Sequence, residues 1–210
     1  MGRPMNVVFD FGAVLFTWRP ADILMDYFPQ QAATHAQAAS LAHAVFGHPD
    51  WHAFDQGLLA EDAVIARITA RLGLPHSPVA ELVQGIGERL RPIPETVDLL
   101  DGLRQRRDAG QGVEGLYFLS NMPLPYAREL EEKHAFLGWF DGGIFSGDVK
   151  RIKPDPAIYR ALQQRFGLEP QNTLFIDDLK ANVLAAEALG WQAIHFEHPT
   201  QLATRLGELL

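Results

Sequence analysis

The chain has 210 residues, 47% of them hydrophobic, no cysteine and a formal net charge of -8. This fits one domain with a sizeable insertion, or two small ones, around a real core. It excludes disulfides, thiol catalysis and thiolate zinc sites, and it argues against a nucleic-acid or anionic-membrane partner, which needs a basic footprint. A small phosphorylated metabolite remains admissible, because a metal ion with one or two lysines reverses the field locally.

The first residues, Met1-Gly2-Arg3-Pro4-Met5, lack an apolar h-region. No signal peptide is expected, Met5 can be the original start, and no apolar run approaches a membrane span. A cytoplasmic location fits. The next stretch, "VVFDFGAVLF" at 7–16, reads as a buried strand that stops at Asp10. Residues 20–90 hold almost no strand-like run and are expected to form a bundle of about four helices. Gln30–Ser40 is rich in good helix formers. Leu58, Ile65, Ile68 and Leu72 fall near helical spacing, with Gly73 as a stop. Pro92 and Pro94 punctuate the end of the block.

The rhythm then changes. Glu95–Ala109 reads as helix, Gly115–Leu119 as strand, Leu124–His134 as helix and Gly142–Phe145 as a short strand. Asp155-Pro156 opens a helix through Phe166, since aspartate caps well, proline suits the first helical position, and Gly167 suits a left-handed stop. "NTLFID" at 172–177 is a strand, Ala181–Leu189 a helix, "WQAIHF" at 191–196 the last strand, and a short helix closes the chain. Alternating strands and helices imply an α/β fold, a doubly wound, mostly parallel sheet. The expected division is a core of residues 1–18 and 92–210, with a helical cap at 19–91 inserted after the first strand.

Ligands of such sheets bind beyond the carboxyl ends of the strands. Asp10, Ser120-Asn121 and Asp177-Asp178 each follow a strand. Taken singly, each is an ordinary turn or cap residue, and Lys153 an ordinary surface lysine. Taken together they suit chemistry. Asp10 can attack phosphorus, or a carbon bearing a leaving group. Lys153, Ser120 and Asn121 can hold phosphoryl oxygens. Asp10, Asp178 and a backbone carbonyl near Gly12 form an all-oxygen set suited to Mg²⁺. Asn182 reads as a hydrogen-bonding residue in the first turn of its helix.

Four pieces in order carry a family resemblance: "FDFGAV" at 9–14, "LSN" at 119–121, "KP" at 153–154 within "GDVKRIKPDPAIY", and "DD" at 177–178 followed by Asn182. With them the chain resembles the haloacid dehalogenase-like (HAD) hydrolase superfamily, whose core is Rossmann-like and one of whose subclasses has a small α-helical cap. The resemblance implies Asp10 as nucleophile and metal ligand, the Gly12 carbonyl and Asp178 as metal ligands, Ser120 and Lys153 as phosphate holders, and Asp177 as an orienting group. It implies a Mg²⁺-dependent phosphatase acting through a phosphorylated Asp10.

Position 12 departs from the pattern, because phosphatases of this superfamily usually carry a second aspartate there as acid and base. Its loss can cost roughly 10²–10⁴-fold on a poor leaving group. A branch similar to sugar-1-phosphate phosphatases, including a glucose-1-phosphate phosphatase, also has glycine there. That likeness implies a leaving group needing little protonation, such as an anomeric sugar, acyl or aryl phosphate, or else a proton from a substrate hydroxyl or a cap residue. Two other readings stay open: a metal-free dehalogenase-type attack on carbon, and a phospholigand-binding module without turnover.

Two further features stand out. His48 and His52, with Asp50 between them, have the spacing of a metal pair, but Pro49 and the lack of nearby ligands favour a surface or cap role. Trp18, Trp51 and Phe54 can stack on a substrate or pack the cap core. Phe54 is expected to be core; Trp51 and His52, in "DWHAFDQG" at 50–57, are open between the two roles.

Overall fold

A computed structural model describes residues 3–210; Met1 and Gly2, part of the amino-terminal stretch read above, lie outside the described residues. Five strands form one parallel sheet: β1 Met5–Phe9, β2 Val113–Ser120, β3 Gly142–Phe145, β4 Thr173–Asp177 and β5 Gln192–His195, in the order β3-β2-β1-β4-β5. Every residue of β1 and β4 is buried, as expected of strands covered on both faces. Alternate side chains enter two separate cores. Val7, Phe9, Leu174 and Ile176 join one, and Val8 and Phe175 join the other.

Six helical segments among the described residues fall within residues 20–90, after β1: α1 Pro20–Tyr27, α2 His35–Phe46, α3 Pro49–Asp55, α4 Glu61–Leu72, α5 His76–Gln84 and α6 Ile86–Arg89. This is more than the four or so expected. Gly47 ends α2, Pro49 opens α3, and Gly85 divides α5 from α6, so one helical block in the sequence becomes several short helices. Two local expectations also shift. Leu58 lies outside α4 and is 62% exposed, because the left-handed Gly57 turns the chain after α3. The alanine-rich stretch becomes helical only at His35, where Thr34 and Gln37 form a reciprocal capping box. The two chain crossings into this block run side by side: Thr17 donates to the Arg91 carbonyl at 2.7 Å and Ile93 to that of Leu15 at 2.8 Å.

The remaining helices are α7 Pro94–Asp108, α8 Leu124–Lys133, α9 Ser146–Val149, α10 Pro156–Phe166, α11 Lys180–Ala188 and α12 Pro199–Leu209. Leu100 and Leu103 of α7 and Leu202 and Leu206 of α12 pack into the first core; Ile158, Tyr159 and Leu162 of α10 and Ala186 of α11 pack into the second. The helix at 156–166 starts and stops as its sequence predicts. The Asp155 carboxylate accepts from the Ala157 amide at 2.8 Å, and Gly167 closes it with φ +66°. No helix among the described residues is long and apolar enough to cross a membrane.

Strand order reverses at β1, between the run leading out to β3 and the run leading out to β5. The carboxyl ends of β1 and β4 therefore sit at a topological switch point, where an open parallel sheet leaves a crevice. One close approach shapes the opposite wing. A Cβ on Gly143 of β3 would lie 2.3–2.5 Å from ring atoms of Phe118, whose ring packs against Phe11, Phe140 and Phe145. Gly143→Ala should therefore overpack the sheet and lower stability by about 1–3 kcal/mol. A urea unfolding curve with an unchanged midpoint would contradict this.

Candidate active site

Asp10 stands one residue beyond β1, and its backbone is tightly held. Its amide donates to the Ile176 carbonyl at 2.9 Å. Phe11 is fully buried among aromatic rings, and its carbonyl accepts from the amides of Val14, Leu15 and Phe16. This tight turn puts Ala13 in the left-handed region, φ +58°, where a side chain costs roughly 1–2 kcal/mol. The Asp10 carboxylate is thus fixed by packing behind it and not by its own flexibility.

Lys153 reaches the same point. Its Nζ lies 2.8 Å from Asp10 Oδ1 and 2.6 Å from Asp177 Oδ2, with all three side chains buried. The Asn121 amide clamps its backbone, accepting from the Lys153 N–H at 2.8 Å and donating to its carbonyl at 3.0 Å. The sequence reading had Asn121 donating to phosphoryl oxygens; the structure engages its side chain with Lys153 instead. Asp177 is fully occupied. It accepts from Lys153, from the Leu179 amide at 2.8 Å, and from Asn182 Nδ2 at 2.9 and 3.0 Å. Neither Asp177 nor Asp178 caps α11, whose N-cap is Leu179. Asp178 turns the other way and lines a cavity with Asp10, Gly12, Ser120, Asn121, Lys153 and Asn182.

This cavity, about 240 Å³, has a polar floor and an apolar wall. Phe46, Trp51, Ile86 and Leu90 come from the insertion, and Trp18, Met122, Tyr126 and Leu179 from the core side. His52 and Asp55 of α3 also line it. Phe54 is buried against Trp51 and Tyr126 and does not line it, as expected of a core residue. His48 Nδ1 accepts from the Asp50 amide and caps α3, while His52 lines the cavity. Sequence reasoning missed Phe46, Ile86, Leu90, Met122 and Tyr126, which carry no polar signature. It also missed Asp55, whose only signal was its place in "DWHAFDQG".

Electrostatics follow from the count of charges. Carboxylate oxygens of Asp10, Asp177 and Asp178 all lie within 4.8 Å of one another, against one ammonium. Burial, with repulsion from Asp177 and Asp178, pushes Asp10 up to about 7 despite Lys153. Burial and Asp177 push Asp178 up to about 6. Burial works against the Lys153 ammonium, but Asp10 and Asp177 outweigh it and hold its pKa above the ordinary value. This surplus of negative charge suits a divalent cation. Asp177 is already occupied, so the donors left are Asp10, Asp178 and the Gly12 carbonyl, hard oxygens of the kind Mg²⁺ takes.

Comparison with known proteins bears on this geometry. A family described as hydrolase, haloacid dehalogenase-like hydrolase, matches residues 7–190. A sesquiterpene phosphatase of Aspergillus oryzae is 29% identical over 97% of this chain and 95% of its own length. A phosphoglycolate phosphatase of Shigella boydii is 28% identical over 86% of this chain and 65% of its own. Among solved structures, a HAD family enzyme of Bacteroides thetaiotaomicron in complex with magnesium and inorganic phosphate superposes with a TM-score of 0.69 at 20% identity, covering 96% of this chain and 99% of that one. At that identity the superposition shows the fold.

The raised carboxyls carry a sign. Where Asp10 and Asp178 titrate above the 3.8 of a free aspartate, the folded chain holds protons the unfolded chain has released, so their contribution to stability falls as pH rises from about 4 to about 7. A cation that binds the ionised pair opposes this loss. Mg²⁺ at roughly a hundredfold excess over its Kd should raise Tm by roughly 5–10 °C at about pH 8 and far less at about pH 5. Asp178→Asn should abolish the shift and raise Tm in chelator at the higher pH. An equal shift at both pH values, or a variant less stable in chelator, would contradict the assignment.

Proposed function

The chain belongs to the haloacid dehalogenase-like hydrolases, and we propose that it is a Mg²⁺-dependent phosphatase that transfers the phosphoryl group of an apolar phosphate monoester to Asp10. The observation that carries this reading is the Asp10–Lys153–Asp177 clamp at the floor of a cavity. Asp10 Oδ1 is occupied by Lys153 and by the Phe11 amide at 2.7 Å, which leaves the other oxygen without a protein partner among the described residues. The Asp10 carboxylate therefore has an oxygen open to the cleft, and it is the acceptor for phosphorus.

Phosphoryl transfer asks the protein mainly for position and for positive charge. Lys153 favours the ionised form of Asp10 and meets the phosphoryl oxygens, the Ser120 hydroxyl donates to them, and Asn121 holds Lys153 in place. Asp10, Asp178 and the Gly12 carbonyl would hold Mg²⁺, which would supply positive charge against the carboxylates and the phosphoryl group. Asp177 and Asn182 form the rear wall that aims Lys153. Water then releases phosphate from Asp10.

The apolar wall sets the substrate class. A sugar needs hydrogen-bonding partners for its hydroxyls, whereas Trp18, Phe46, Trp51, Ile86 and Leu90 offer burial. The likeness to a sesquiterpene phosphatase supports the same reading. Carbon attack with halide departure is less suited, because three carboxylates repel the leaving anion.

With Mg²⁺, the enzyme should hydrolyse farnesyl phosphate with a kcat/KM at least roughly tenfold above that for glucose 1-phosphate. EDTA should abolish turnover, and Asp10→Asn should lower it by roughly 10³-fold or more. EDTA-resistant hydrolysis would favour carbon attack, equal rates for both proteins a binding module, and preference for the sugar would overturn the substrate class.

A further inference from the structure

Gly12 leaves the site without a proton donor beside the nucleophile. Space does not force this. A Cβ at Gly12 would make ordinary contact with Trp18, 3.8 Å from its Cβ, and the backbone there is not left-handed. A poor alkoxide leaving group still needs a proton, so a donor has to come from elsewhere around the cavity.

We propose, building on the phosphatase reading above, that Asp55 of α3 is this donor, acting from the insertion side of the cleft across from Asp10. Asp55 and Asp10 line the same cavity. Its backbone is tied to the core floor: Ser146 Oγ donates to the Asp55 carbonyl at 2.6 Å and accepts from the Met122 amide at 2.8 Å, two residues beyond Ser120. A second tie follows at once. Lys150 Nζ donates to the Gly57 carbonyl and to that of Gly147, both at 2.9 Å. Gly57 has φ +64°, and a Cβ there would lie 2.5 Å from Lys150 Nζ and 2.9 Å from the Gly147 carbonyl oxygen. The turn at 55–57 is therefore fastened to the segment at 146–150, which fixes Asp55 relative to the phosphoryl-binding residues.

The carboxyl itself is uncommitted. Among the described residues it meets no cation and accepts no hydrogen bond, in contrast to Asp10 and Asp177. The groups that share its cavity are His52 on its own helix, Tyr126 from α8, and Asp10, Lys153 and Asp178 on the floor. Tyr126 is taken up in donating to the Val83 carbonyl at 2.5 Å, and the Lys150 ammonium by backbone carbonyls. Desolvation without a compensating partner pushes the Asp55 carboxyl well above the ordinary carboxyl range, the direction a proton donor needs.

The steps balance. Asp10 bonds to phosphorus as the ester P–O bond breaks, and the departing oxygen takes the Asp55 proton and leaves as the alcohol. Water then bonds to phosphorus as the Asp10–P bond breaks, its protons leave with the phosphate, and the Asp55 carboxylate takes up a proton from solvent. The sum is ester plus water giving alcohol plus phosphate.

The test is a leaving-group series, from p-nitrophenyl phosphate through phenyl phosphate to n-octyl phosphate, with Mg²⁺. Wild type should show a shallow dependence of kcat on leaving-group pKa. Asp55→Asn should steepen it, with kcat for n-octyl phosphate falling by roughly 10²-fold or more and that for p-nitrophenyl phosphate changing only a few-fold. Inhibition by inorganic phosphate should stay unchanged, showing the floor intact. A steep wild-type series overturns the proposal without reference to any variant, and a variant that stays shallow, or loses both esters equally, overturns it as well. Absence of turnover by wild type on every ester overturns the phosphatase reading too, whereas turnover with a steep series overturns this inference alone.

Discussion

One ammonium is shared between two buried carboxylates, and the rest of the site is arranged around that sharing. Lys153 lies within hydrogen-bonding distance of both Asp10 and Asp177, out of water. A buried charge without partners costs several kcal/mol, so each member must be held where the others need it. Asn121 fixes the lysine backbone, and Asn182 and the Leu179 amide satisfy Asp177. Asp10 is thus the one carboxylate of the clamp that also faces the cavity.

The fold delivers this cluster through strand register. Phe9 pairs with Phe118 on one side and Ile176 on the other, so the ends of β1, β2 and β4 fall level. Apolar alternation within those strands serves two cores at once, and the polar residues appear only where the strands run out. The insertion then roofs the crevice with aromatic and aliphatic side chains. A low-dielectric roof over charged groups strengthens every electrostatic contact beneath it and gives an apolar substrate body somewhere to be buried. Charge below and grease above is a division of labour suited to cutting a phosphate from an apolar alcohol.

What the sequence made legible is what strand ends make legible. Element order places Asp10, Ser120 and Asp178, the family resemblance adds Lys153, and the structure brings all four to one cavity. Asn121 was placed too, but its partner was not readable, because its bonds run to the backbone of a residue 32 positions away. The wall was opaque for a different reason. Phe46, Ile86, Leu90 and Met122 look like any core residue, and only tertiary packing decides which apolar side chains face a cleft. Asp55 sits at the end of a seven-residue helix whose short neighbours blur any periodicity. The turn that carries it is held by Ser146 at the Asp55 carbonyl and Lys150 at the Gly57 carbonyl, about ninety residues downstream, contacts that no local pattern reveals.

The central claim is that this clamp holds Asp10 as the acceptor of a phosphoryl group. It is tested most directly by acid-quenching the enzyme during turnover with Mg²⁺ and locating the phosphoryl group by peptide mass spectrometry. The account predicts a phosphorylated peptide containing Asp10, modified at that side chain and cleared by hydroxylamine. Steady turnover with Asp10 unmodified throughout, or the phosphoryl group found on another residue, would contradict it.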